Sequence, residues 1–140
     1  AKWDPVIKNF RTLKDISKTN KKFDISIAHT VSSLNIWYIP EFMEYFKDEN
    51  MYLNLVHGPP HFNIVNIPQD IKEVVEEHLG HEDSRIVEII NFMNGKKSNP
   101  IEWASFRPNV KGSDEYRNED FREFFPEFYK VLTEHGWKYE

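Results

Sequence analysis

The chain is 140 residues long, 39% hydrophobic and 15% aromatic, with a formal net charge of −5. These values suit one compact domain with a real core; they exclude disorder throughout and argue against a basic face of the kind that grips nucleic-acid phosphates. There is no cysteine, which removes disulfides, thiol nucleophiles, thiolate zinc sites and cysteine-held clusters from the chemistry this chain can supply itself.

No apolar run approaches the roughly 20 residues of a bilayer span, and the opening residues lack the apolar centre of a secretory signal. The expectation is a soluble, cytoplasmic protein with neither a membrane nor a nucleic-acid partner. Asp4 as a cap, Pro5 at the first helical position, and Val6, Phe10, Leu13 and Ile16 at helical spacing predict a first helix. A basic, solvated connector follows over residues 18–22. Phe23, Ile25 and Ile27 alternate with polar residues and predict a strand over 23–31; residues 32–35 form a polar turn. Pro40 opens a second helix with Phe42, Met43, Tyr45 and Phe46 on its apolar side.

Residues 51–56 predict a second strand, closed by Gly58, Pro59 and Pro60, and residues 62–65 a short extended piece. Pro68 starts a third helix carrying Ile71, Val74, Val75 and Leu79 and stopping near Gly80. Asp83 or Ser84 caps a fourth, with Ile86, Val87, Ile89, Ile90 and Met93, ending at Gly95. Residues 94–100 and 110–113 are expected as loops, and 101–107 are ambiguous. Residues 114–135 predict an interrupted helix that Pro126 divides, with Gly136 as the final cap.

Two strands separated by a helix pair in parallel through a crossover. Each parallel strand wants both faces and both edges covered, and two strands cannot provide that for each other. The expected fold class is therefore α/β: a partial (β/α) barrel with few parallel strands over residues 1–95, followed by a helical tail over 96–140.

Specific residues sharpen this picture. The stretch Ile25-Ser26-Ile27-Ala28-His29-Thr30-Val31-Ser32-Ser33-Leu34-Asn35 ends in Thr-Val-Ser with an Asn close behind. It is followed by Ile39-Pro40-Glu41-Phe42, then by Asn66-Ile67-Pro68-Gln69-Asp70-Ile71-Lys72. The tail carries Asp114-Glu115-Tyr116-Arg117 and Phe125-Pro126-Glu127. In this order the set resembles the C-terminal half of a twitch-domain-containing radical S-adenosylmethionine (SAM) protein, across nearly the whole chain.

The resemblance implies an incomplete barrel whose early half holds a 4Fe–4S cluster on a Cys-x3-Cys-x2-Cys loop. SAM binds at the carboxyl ends of the strands, is cleaved by the reduced cluster, and yields a radical that abstracts hydrogen from a peptide or small substrate. This sequence departs from that pattern: it contains neither the cluster loop nor a cysteine for an auxiliary cluster in the twitch-like tail. The chain alone is not competent for the chemistry, and the implied partner is a cluster-bearing N-terminal half or a second chain.

Ligands of parallel α/β folds gather at the carboxyl ends of strands. Thr30, Ser32 and Asn35 follow the first strand and His57 follows the second, so these four are the candidate cofactor- or substrate-binding residues. The plainer alternative is that Ser and Asn satisfy their own turn. His57 and His61 lie four apart but are separated by two prolines that forbid a helix. His78 and His81, beside Glu77, Glu82 and Asp83, have metal-ligating chemistry, yet Gly80 breaks the helix between the rings. His29 can transfer protons or serve as a packed strand residue.

Gly95-Lys96-Lys97-Ser98 lacks the upstream glycine and strand of a phosphate loop, and no Gly-x-Ser-x-Gly elbow is present. In the tail, Tyr116, Phe121, Phe124, Phe125, Phe128, Tyr129 and Trp137 suit a core or a docking surface, and Arg117 suits a carboxylate. The competing expectation is a non-catalytic interaction module that docks a partner, or forms a homo-oligomer, through this aromatic tail.

Overall fold

In the computed structural model, which describes residues 2–140, two strands lie parallel in one sheet. They are β1 (Ile27–Val31) and β2 (Met51–Leu55), in the register Ile27↔Met51 to Val31↔Leu55. The remaining elements are α1 (Trp3–Thr19), α2 (Ile39–Tyr45), α3 (Gln69–Leu79), α4 (Ser84–Asn94), α5 (Pro100–Ala104), α6 (Phe106–Arg117), α7 (Phe121–Phe124) and α8 (Pro126–Glu134). The α/β class and the parallel pairing are thus as expected.

The pleat gives the sheet two unlike faces. Ile27, His29, Val31, Met51, Leu53 and Leu55 are buried or half-buried, and α2 covers part of that side: the His29 ring stacks on Phe42 at 4.1 Å. Ala28, Thr30, Tyr52 and Asn54 are exposed on the other face. No third strand joins either edge among the described residues. Side chains touch the edges instead: Arg85 reaches the Met51 carbonyl at 3.4 Å, and the Asn35 amide donates to the Thr30 carbonyl at 2.9 Å.

The helix caps follow the sequence in places. Asp83 caps α4 by accepting from Arg85 N–H at 2.9 Å, and Asn99 caps α5 just ahead of Pro100. Pro126 starts α8 as the first helical residue, and Gly136 takes a φ of +84° just past its end.

Several expected boundaries shift. The first strand covers only five of residues 23–31, because β2 offers five partners and nothing pairs with residues 23–26. Residues 62–65 are not extended; two 3-10 turns, Pro60–Phe62 and Ile64–Asn66, occupy that stretch, the second begun by Asn63 accepting from Val65 N–H at 3.1 Å. Residues 110–113 are helical, inside α6. Pro108 sits in the first turn of α6, where its missing N–H leaves nothing unsatisfied, and burial of Phe106 and Val110 four residues apart outweighs the cost of Gly112. α1 begins at Trp3, so Asp4 lies inside the first turn and is not its cap.

The core runs without a break across both halves of the chain. Ile36, Ile39, Ile67, Ile71 and Val75 join Phe106, Phe128 and Leu132 in one cluster, all essentially inaccessible. α1 contributes little to it: Ile7 is its one buried residue, and Val6, Leu13 and Ile16 of the expected apolar face are exposed.

Candidate functional site

The turn after β1 is a closed hydrogen-bonded unit. Ser32 N–H donates to Asn35 Oδ1 at 2.8 Å, Asn35 Nδ2 donates to the Thr30 carbonyl, and Leu34 N–H donates to Ser32 Oγ at 3.3 Å. Asn35 and Ile36 N–H both donate to the Ser32 carbonyl. Ser32 and Asn35 therefore hold their own turn in shape, as such residues do after strands. Thr30 is exposed on the uncovered sheet face, next to the strand carrying Tyr52 and Asn54.

His57 stands apart from that turn. It is exposed, meets the Phe92 ring edge-on at 5.4 Å, and lines a hollow of about 310 Å³ with Asn63, Val65, Gly95 and Lys96. The structure thus groups Thr30, Ser32 and Asn35 in one turn and puts His57 on a different cavity.

A larger cleft opens beside the turn. Leu34 and Phe62, which follow β1 and β2, meet Val110, Phe121, Phe124 and Phe125 of the tail around a cavity of about 360 Å³. Its polar lining includes Asp114, Arg117 and Glu119. The Asp114 carboxylate accepts from Phe121 N–H at 2.8 Å and from the Tyr139 hydroxyl at 2.7 Å. The bond from Tyr139 to Asp114, and then burial, push the Tyr139 phenol up to about 12.

The other histidines have structural surroundings. The His78 ring lies flat on Trp37 at 3.6 Å, and its Nε2 meets the Trp37 carbonyl at 2.9 Å. His81 Nε2 contacts Glu76 instead, at 3.1 Å. The two rings do not converge, and no group of three or more His, Asp or Glu residues that could hold a metal occurs among the described residues.

Three buried polar groups have an environment that the sequence did not reveal. Ser33 is fully buried, and neither its hydroxyl nor the buried Nε2 atoms of His29 and His61 find a hydrogen-bond partner among the described residues. Burial holds both histidines below their ordinary pKa, with Glu102 opposing the effect at His61.

Lys72 is also fully buried, and its ammonium has one partner, the Lys96 carbonyl at 3.1 Å. Burial lowers its pKa. Nearby, Ser98 donates to the Ile67 carbonyl at 2.5 Å and Asn99 N–H donates to Asn66 at 3.3 Å, so the α4–α5 loop is fastened to the start of α3 at three points. Lys72 lies three residues before Val75 and seven before Leu79, on the buried side of α3, so helical spacing was the signal that could have found it.

The donor set does not fit an iron–sulfur cluster, because the chain offers no thiolate. No helix is long and apolar enough to cross a membrane among the described residues. No known protein family, curated protein or solved structure matches this chain.

Proposed function

We propose that this chain is the later strand–helix portion of a radical SAM-type (β/α) barrel with its helical tail, completed by a cluster-bearing stretch of polypeptide from the same protein or a second chain. One observation carries the reading: a parallel sheet packed on its helix side and uncovered on the other. The uncovered residues, Ala28, Thr30, Tyr52 and Asn54, are mostly polar. That suits a lumen facing a polar ligand better than an aliphatic layer. Thr30, with the turn that Ser32 and Asn35 brace, stands at the carboxyl end of β1, and His57 follows β2.

In this reading the reduction and cleavage of SAM belong to the supplied half, which holds the 4Fe–4S cluster. This chain's residues bind and orient the cofactor or substrate, and its tail closes the mouth of the barrel. The test is co-expression with any neighbouring coding sequence that carries Cys-x3-Cys-x2-Cys, followed by anaerobic reconstitution. The pair should release 5′-deoxyadenosine from SAM, and this chain alone should not. A SAM-cleaving preparation of this chain alone would falsify the proposal.

The second reading is a non-catalytic module that docks through its aromatic tail. The exposure of Tyr116 (91%) and Phe124 (61%) favours it. It expects association to be weakened by substitutions at those two rings and left intact by substitutions on the sheet face.

A further inference from the structure

We propose that the cleft between the post-strand turns and the tail binds a small monocarboxylate with an aromatic or aliphatic body. Its walls are apolar on both sides, with Leu34 and Phe62 facing Phe121, Phe124 and Phe125. Its volume of about 360 Å³ lies within the ordinary range of small-molecule sites. Phe124 leaves most of its ring in water, where a seated apolar ligand would cover it.

The polar lining selects the charge. Asp114 keeps its negative charge while accepting from the Phe121 N–H and the Tyr139 hydroxyl, which hold its carboxylate in the cleft wall. Arg117 makes no hydrogen bond or ion pair among the described residues. A guanidinium matches a carboxylate with two parallel donors. Asp114 and Glu119 line the same cleft, where Arg117 is the one cationic side chain; the two carboxylates repel any charge beyond the single one Arg117 pairs, so the class is a monoanion and not a phosphate ester or dicarboxylate. The cleft also lies beyond the carboxyl ends of both strands, where parallel α/β folds take their ligands. This inference does not depend on radical chemistry and is tested on the full chain by itself.

The other role open to Arg117 is to offset the dipole at the end of α6, which needs no ligand. The two are separated by heteronuclear NMR titration with phenylbutyrate and with its neutral counterpart phenylbutanol. The carboxylate is expected to shift the amides of Leu34, Val110, Phe121 and Phe125, and the alcohol to bind at least about threefold more weakly. Arg117→Gln should bring the carboxylate down to the alcohol's level, and Phe124→Ala should weaken both. Both side chains are exposed, so unchanged unfolding midpoints verify that the variants fold. Equal binding of the two probes, indifference to Arg117→Gln, or the absence of shifts at those amides overturns the proposal.

Discussion

The Tyr38 hydroxyl donates to the Glu127 carboxylate at 2.8 Å, joining residues 89 positions apart. Phe128 N–H donates to the Tyr38 hydroxyl oxygen at 3.4 Å, and the Tyr38 ring rests on Phe125 at 5.6 Å. One side chain from the segment between β1 and α2 thereby orients the start of α8, and with it one wall of the tail cleft.

Tyr38→Phe keeps the ring and removes both hydrogen bonds, so it should lower stability by about 1 kcal/mol at neutral pH. Burial and then the bond to Glu127 push the phenol up to about 12, from an ordinary 10.0. A pKa raised on folding stabilises below the unfolded value and loses that contribution as pH climbs through the folded one. Urea unfolding between those two values should show a steep fall in the native protein and a shallower one in the variant. An unaltered slope would mean that the phenol is not held by the fold.

Lys72 shifts in the opposite sense. Its folded pKa lies below 10.5 because burial disfavours the charged form, so the unfolded chain binds more protons in the window up to 10.5 and stability rises with pH there. Lys72→Met fills the same space without the charge and should cancel that rise, with a change of no more than about 1 kcal/mol at neutral pH. Lys72→Ala leaves a cavity and should lose about 2–4 kcal/mol. Denaturant titrations of the two variants across mild alkaline pH measure both effects.

Two histidines with buried ring nitrogens add to the loss of stability in acid. His29 and His61 are held below 6.5 by burial, so their neutral forms favour the fold above 6.5 and that support is lost as pH falls toward the folded values. His29→Phe retains an aromatic stack on Phe42 and should flatten the decline in unfolding midpoint below 6.5. A decline as steep as the native protein's would assign it to other groups.

The open sheet face separates stability from assembly. Tyr52 is 51% exposed, so Tyr52→Lys should alter the unfolding free energy of this chain by no more than about 0.5 kcal/mol. In the proposed barrel the same substitution buries a charge against the completing half and should abolish co-purification. Phe106→Ala, at a fully buried ring stacked on Trp103 at 4.5 Å, should instead cost about 3–5 kcal/mol whether or not a partner is present.

What the sequence made legible was whatever rests on local rules. The α3 and α4 boundaries follow from Pro68, Gly80, the Asp83 cap and helical periodicity, and parallel pairing follows from two strands bracketing a helix. Position along the chain was legible, since Ser32, Asn35 and His57 do follow the strands, while Thr30 lies within β1; side-chain direction was not. Ser32 and Asn35 turn back onto their own backbone. α6 shows tertiary packing overriding local signals, because Phe106 and Val110 hold a helix through Gly112. Lys72 was overlooked because its charge outweighed its helical spacing to Val75 and Leu79 on the buried side of α3, and Ser33 because its burial depends on packing that no local pattern encodes.

Trp137 meets Phe121 and Phe106 at 5.9 Å each, while Tyr139 ties the final segment to Asp114 in the cleft wall and lies under the Arg122 guanidinium at 4.4 Å. The last residues thus pack behind two residues of that cavity's wall, Phe121 and Asp114. The chain has four tryptophans, so in a variant that keeps Trp137 and carries Phe at Trp3, Trp37 and Trp103, indole emission should register occupancy or loosening of the wall without any attached dye.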